Sequence, residues 1–253
     1  MAITPTTLTR SAGLAAVAAG AIFIAVQLNH PPLTVAGVHP AEWAIRSSLK
    51  MLMGALALVG ITGMYLHQVR KMGVLGLIGF VLFAANYLFI VSTSFVAAIV
   101  LPAVADTSPS YVTNVLVAAS GHHPPGDTGA LYSVILLGGF LYLAGSLIFG
   151  IALYRARVLP RWAAVLLAIG GLATAGLSLM PDPWFRLLAV PNGIAMIALG
   201  YSLWRIAGAE HTATTDNTDI TDTIENNDTT PVTETVTPPA AVAIPRVATG
   251  GPE

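Results

Sequence analysis

The sequence predicts an all-α, polytopic transmembrane helical bundle of about six spans, with a short outer interfacial helix and a disordered tail. Three observations predict this fold class. The 253 residues are 55% hydrophobic and only 9% charged, whereas a soluble domain carries about 25% charged residues. Six apolar runs reach the length of about 20 residues that a helix needs to cross a bilayer. Acidic and basic residues of 1–206 also fall in different loops, as in membrane proteins that obey the positive-inside rule.

The six predicted spans cover residues of about 11–29, 43–67, 73–102, 129–154, 161–180 and 185–205. Backbone groups in hydrocarbon must bond within their own segment, so apolar runs of this length are helices. The first run is longer than the core of about 7–15 residues that a signal peptide has. The stretch 29–32 (NHPP) follows it in place of a small-residue cleavage site, so we expect it to be retained as the first span.

The charges predict the orientation of the chain. If six spans start from a cytoplasmic N-terminus, the four acidic residues of 1–206 all fall outside: Glu42, Asp106, Asp127 and Asp182. Seven of the ten basic residues fall inside: Arg10, Arg70, Lys71, Arg155, Arg157, Arg161 and Arg205. This pattern predicts a multi-pass protein of the inner (plasma) membrane with both termini in the cytoplasm. An interfacial aromatic belt is the expected setting of the four tryptophans: Trp43, Trp162, Trp184 and Trp204.

The long outer loop of about residues 103–128 predicts a helix of its own. Ser108 followed by Pro109 is typical of an N-cap with proline at the first helical position. The apolar residues that follow recur at the spacing of one helical face: Val112, Val115, Leu116 and Ala119. We expect a short helix that lies on the outer surface or folds back into it.

Residues 207–253 predict a disordered acidic cytoplasmic tail. They contain eight of the twelve acidic residues and one basic residue, Arg246. A segment dominated by Thr, Asp, Asn, Pro, Glu and Ala, with no aromatic residue, cannot bury enough apolar surface to offset the entropy of ordering. The predicted membrane domain therefore ends at about residue 206.

The outer charged residues are the candidate ligand-binding site. Glu42, Arg46 and Lys50 follow one another in steps of four on span two, and Asp182 and Arg186 repeat the acid–base spacing at the start of span six. In one interpretation the cations bind an anionic group such as a lipid phosphate. In the other, the acids offset helix dipoles, the arginines pair with them, and Lys50 extends to the headgroups.

A second set of outer residues carries groups that bind metals: His30, His39, His122, His123 and Asp127. Histidine and carboxylate suit zinc, copper or iron, although this spacing matches no helix-borne ligand motif. The chain has no cysteine, and no nucleotide-binding, zinc-protease or nucleophile-elbow motif is present. We therefore expect no cofactor. A net charge of −1 and an acidic tail also predict no nucleic-acid partner.

The connection between spans four and five, residues 150–164 (GIALYRARVLPRWAA), resembles that of many uncharacterised actinobacterial multi-span membrane proteins. The exit from span one, residues 29–32, is similar to theirs. The resemblance covers the membrane region and not the tail. It implies a six-span integral membrane protein to which no activity is attached.

Three classes of function are compatible with these residues. The first is a protein that binds a small ligand, a lipid or a partner at its outer polar face, with an anionic lipid or a membrane protein as the expected partner. The second is a membrane-embedded enzyme, such as a metal-assisted hydrolase of a lipid or envelope substrate. The third is a transporter, for which the sequence shows no convincing internal repeat. All three have the lipid bilayer as their surroundings, and we favour the first.

Overall fold

The computed structural model describes residues 4–28, 32–177 and 189–228, and all the regular secondary structure in these ranges is helical. Four helices are long and apolar enough to cross a membrane: Pro5–Ala25, Ala41–His67, Val69–Val104 and Leu131–Ala156. Apolar helices of this length are stable in lipid rather than in water. The chain is therefore a helical membrane protein that contacts the bilayer. A shorter apolar helix covers Arg161–Leu172.

In chain order the helices are α1 (Pro5–Ala25), α2 (Val35–Val38), α3 (Ala41–His67), α4 (Val69–Phe95), α5 (Leu101–Val104), α6 (Pro109–Ala119), α7 (Leu131–Ala156), α8 (Arg161–Leu177) and α9 (Ala189–Asp228). A π-helical turn, Val96–Val100, joins α4 to α5. The predicted spans 43–67, 73–102 and 129–154 agree with α3, with α4 to α5 and with α7 to within about one turn. The predicted spans 161–180 and 185–205 run partly through residues 178–188, which lie outside the described ranges.

Helix α1 begins earlier than the predicted span at 11–29. Thr4 caps it, since its hydroxyl accepts a hydrogen bond of 3.2 Å from the Thr7 N–H, and Pro5 occupies the first turn, where a missing N–H costs nothing. These polar starting signals lie before the apolar run, so hydropathy alone places the start too late. The helix ends at Ala25 and residues 26–28 form a turn.

The chain separates into two compact units, Met1–Thr212 and Ala213–Glu253. All the contacts described below belong to the first unit. Residues 207–228 are part of α9, where the sequence predicts no helix, and residues 229–253 lie outside the described ranges. The disorder of the tail in solution stays a prediction.

Neighbouring helices run antiparallel and approach most closely at glycines. A Cβ on Gly145 of α7 would lie 2.6 Å from the backbone nitrogen of Phe83 of α4. A Cβ on Gly13 of α1 would lie 2.7 Å from the carbonyl oxygen of Gly200 of α9. Small residues permit this backbone approach, and in lipid van der Waals packing replaces the hydrophobic effect as the force between helices. In these two helix pairs, glycine therefore lies where the backbones come close together.

Two clusters of buried residues stabilise the fold. The larger one runs through the middle of the bundle and includes the fully buried side chains of Ile61, Phe83, Phe149, Leu167 and Leu199. The smaller one lies at the end of the bundle where α3 and α7 begin, and packs α2, α5 and α6 over it. We call this end, with α2, α5 and α6, the capped end.

Substitution of Gly145 by alanine should destabilise the bundle. The added methyl group must displace the backbone of Phe83, and overpacking of this kind costs about 1–3 kcal/mol. Gly139→Ala is the matched control in the same helix, because a Cβ there meets nothing within 4 Å and alanine favours helix by up to about 1 kcal/mol. Thermal unfolding in detergent should show a lower midpoint for Gly145→Ala only. Equal midpoints for the two variants would contradict the close contact.

Candidate ligand-binding site

The capped end depends on a proline that interrupts the long apolar helix. Pro102 has no N–H, so the carbonyl groups one turn before it lose a donor. The chain responds with the π-helical turn Val96–Val100, in which the Leu101 N–H bonds to the Val96 oxygen. The carbonyl oxygen of Ala97 then accepts a hydrogen bond of 2.8 Å from the indole nitrogen of Trp43. This bond joins α3 to the end of α4.

Trp43 is consequently buried and only 5% exposed, which differs from its predicted place in an aromatic belt. The physical reason is the free carbonyl group, because a buried indole N–H needs an acceptor and Ala97 supplies one. Trp162, by contrast, is 58% exposed, as expected of a belt residue.

Helix α6 forms a roof over this end of the bundle. Its start at Pro109 and its buried face with Val112, Val115 and Leu116 agree with the prediction. Ala119 is exposed and Ala118 is buried instead, so the packed face is rotated slightly from the predicted one. The predicted cap at Ser108 is present by position, but its side chain makes no capping hydrogen bond.

A cavity of about 360 Å³ lies beneath α6. This volume is within the range of small-molecule sites. The walls are mostly apolar and come from the end of α1, from α3, from α4 and its π-helical turn, and from α6 and α7. The polar side chains on the wall are few: Gln27, Ser47, Lys50, Thr93, Ser94 and Ser120.

Lys50 is the charged residue among the described residues that line the cavity. It shares one face of α3 with Trp43 and Ser47, since the three are spaced at i, i+4 and i+7. The positive charge therefore lies on the wall of an apolar cavity, where a ligand with an anionic group would lower the electrostatic free energy. Of the predicted binding residues, Lys50 is the one that the described structure places in this cavity.

Glu42 and Arg46 form a separate contact that holds the chain together. The Nε and Nη2 atoms of Arg46 each lie 2.9 Å from Glu42 Oε1. Its Nη1 atom donates to the carbonyl oxygens of Leu28, at 2.7 Å, and Val26, at 3.4 Å. Arg46 thus donates hydrogen bonds to carbonyl groups that have no helical partner where α1 ends. It acts as a C-terminal cap of this helix.

The Glu42–Arg46 pair also borders a shallower surface groove of about 410 Å³, lined by the apolar residues Ala25, Val26, Ile45 and Leu49. Val26 is common to this groove and to the cavity beneath α6. The two remaining predicted binding residues, Asp182 and Arg186, lie outside the described residues.

The predicted metal-binding residues have separate partners. His39 Nε2 lies 3.5 Å from Asp106, and the ring nitrogen Nδ1 of His122 is 3.1 Å from the Ser120 hydroxyl. His123 contacts the Pro124 carbonyl oxygen and the ring of Tyr132. Asp127 accepts a hydrogen bond of 2.7 Å from the Gly129 N–H, closing a local turn.

Within the described ranges, no three His, Asp or Glu residues come close enough to share a metal ion. His30, the fifth member of the predicted set, falls in the gap at residues 29–31. The described geometry therefore gives the metal interpretation no support.

Sequence reasoning did not find the hydroxyl groups of the cavity wall. Thr93 and Ser94 lie inside the predicted span 73–102, and nothing in the sequence pattern ties them to Lys50 on another span. A usable signal was the spacing of Trp43, Ser47 and Lys50, which predicts one shared face. Grouping by charge joined Lys50 to Arg46 instead, although the structure gives these two cations different surroundings.

Comparisons with models of protein families, with curated proteins and with solved structures found no match to this chain.

The hydrogen bond between Trp43 and Ala97 should contribute measurably to stability. Trp43→Phe keeps an aromatic ring but removes the donor, so the Ala97 carbonyl oxygen loses its partner, at a cost of about 1–3 kcal/mol. The thermal unfolding midpoint in detergent should fall for Trp43→Phe and stay at the wild-type value for Trp162→Phe. An unchanged midpoint in Trp43→Phe would mean that the bond contributes nothing.

Proposed function

We propose that this chain is a six-span protein of the plasma membrane, with both termini cytoplasmic, that binds a small amphiphile in the cavity beneath α6. The amphiphile carries one anionic group next to Lys50 and an apolar part against the remaining wall. The observation that carries the proposal is a cavity of small-molecule size with one charged, cationic residue on its described wall. A lipid fragment, a fatty acid or an anionic lipid chain has this chemistry.

The volume of the cavity limits the size of the ligand that it can hold. Its volume of about 360 Å³ lies near the lower end of the range of about 300–1,000 Å³ that small-molecule sites have. A whole phospholipid with two chains is much larger, so a single-chain amphiphile fits better. Arg46 does not serve this ligand directly, since its guanidinium already binds Glu42 and two carbonyl oxygens.

The alternative functions have weaker support. The described histidines and Asp127 each contact a different neighbour, so no shared metal site favours the metal-assisted hydrolase. The buried polar side chains in the middle of the bundle include Asn192, whose amide donates to the Tyr142 hydroxyl. Such a bond between helices α9 and α7 is ordinary bundle packing and does not require a transport path.

The resemblance to actinobacterial six-span membrane proteins supports the proposed topology. The α7–α8 connection that carries it turns through Arg157 in a left-handed conformation (φ 57°). The ring of Tyr154 stacks with the guanidinium of Arg161 at 4.8 Å. The basic side chains of this connection thus cluster at the end of the bundle opposite the capped end, as a cytoplasmic loop requires.

Dodecanoate is the probe that tests ligand binding. In phosphatidylcholine nanodiscs we expect it to bind saturably and to raise the unfolding midpoint, whereas dodecyltrimethylammonium, with the opposite charge, should not. Lys50→Met should weaken dodecanoate binding about tenfold or more, the value of one lost charge-assisted contact. Lys71→Met is the matched control, because Lys71 is exposed and lies away from the cavity.

Two results would contradict the proposal. One is the absence of saturable dodecanoate binding to the wild-type protein. The other is an equal effect of Lys50→Met and Lys71→Met, because the charge at residue 50 would then have no special role.

The topology can be tested with single cysteines, since the natural chain has none. Thr107→Cys places a thiol in the exposed connection before α6, and Val69→Cys places one at the opposite end. A membrane-impermeant maleimide should label residue 107 in intact cells and residue 69 only after permeabilisation. The reverse pattern would refute the proposed orientation, and labelling of both residues in intact cells would refute the span count.

A further inference from the structure

The floor of the cavity is formed by three apolar residues, Phe23, Met53 and Ile90. The same three residues also line a second, much smaller void of about 10 Å³ deeper in the bundle. That void is just large enough for about one water molecule. Tyr87 and Tyr142 line the small void but not the cavity. The floor is therefore a thin apolar partition between two spaces.

Met53 is the part of this floor most able to change shape. Its side chain is buried, with 4% exposed, and methionine has three rotatable bonds and a polarisable thioether that adapts to irregular gaps. It lies one turn beyond Lys50 on the same helix, α3. Side chains on a helix lean toward its N-terminus, so Lys50 and Met53 both lean toward the capped end, and Met53 starts one turn deeper in the bundle. An anionic group at Lys50 leaves the space against Met53 to the apolar chain.

We infer that Met53 limits the length of the apolar chain that the cavity accepts, and that the ligand is a single-chain carboxylate whose terminal methyl group meets this residue. The inference rests on the proposed function. Chains that end before Met53 leave part of the cavity empty, and longer chains must displace the thioether toward the small void. Affinity should therefore rise with chain length up to one value and then stop rising.

The experiment uses saturated alkanoic acids of increasing length with the full chain in phosphatidylcholine nanodiscs. Each methylene group that fits should strengthen binding about fourfold. Met53→Ala removes the side chain beyond Cβ and opens space on the floor, so the best chain should become about two or three carbon atoms longer. At each chain length, the affinity of a variant is compared with that of the wild-type protein. The partition of the acid into the nanodisc lipid is the same for both and cancels.

Three further variants make the result specific. Ile90→Ala opens the same floor from α4 and should also shift the preference toward longer chains, which keeps the test valid if Met53→Ala does not fold. Met51→Ala removes the same side chain from a residue that does not line the cavity and should keep the wild-type preference. Leu116→Ala opens the roof in α6 and should leave the preferred length unchanged.

The outcomes separate this inference from the proposed function. If the wild-type protein binds none of the acids, the proposed function fails and this inference falls with it. If the wild-type protein binds them and both floor variants keep the wild-type preference, only the role of Met53 is refuted. A shift caused by Leu116→Ala instead would mean that the chain points toward α6, and would also overturn the inference.

Discussion

The need to satisfy backbone polar groups in apolar surroundings governs this structure. Hydrocarbon supplies no hydrogen-bond partners, so long stretches of the chain bond internally as helices. Where the helical hydrogen-bond pattern is interrupted, side chains supply the missing donors. Pro102 takes a donor away from the end of the long α4 segment and Trp43 supplies one to Ala97. The turn after α1 leaves carbonyl groups without a helical hydrogen-bond donor, and Arg46 donates to two of them.

These two contacts also position the cavity beneath α6. Trp43 joins the start of α3 to the π-helical turn, and Arg46 joins α3 to the end of α1. The same three segments provide much of the cavity wall beneath α6. Helices of the bundle approach closely at glycines such as Gly145 and Gly13, and a void of about 10 Å³ lies deeper than the cavity. Between the two spaces lie the side chains of Phe23, Met53 and Ile90, which line both of them.

Much of the helical framework could be predicted from the sequence because apolar length is a strong signal. The segments α3, α7 and α6 were located to within about a turn, the last from its proline start and apolar periodicity. The start of α1 was missed because its cap, Thr4, precedes the apolar run. The burial of Trp43 could not be read from position, since it depends on a carbonyl group 54 residues away along the chain.

The candidate site was predicted by charge, and charge alone does not distinguish a structural cation from one beside a cavity. Arg46 and Lys50 are one turn apart on α3, yet their chemistry differs. The planar guanidinium of arginine suits fixed partners in fixed directions, and Arg46 binds one carboxylate and two carbonyl groups. The ammonium of lysine is a point charge on a flexible stem, and Lys50 lies on the wall of the cavity beneath α6. What separates the two cations is therefore their position beside the cavity. That position depends on how α1, α4, α6 and α7 pack around α3, which the spacing of charges along one helix does not encode.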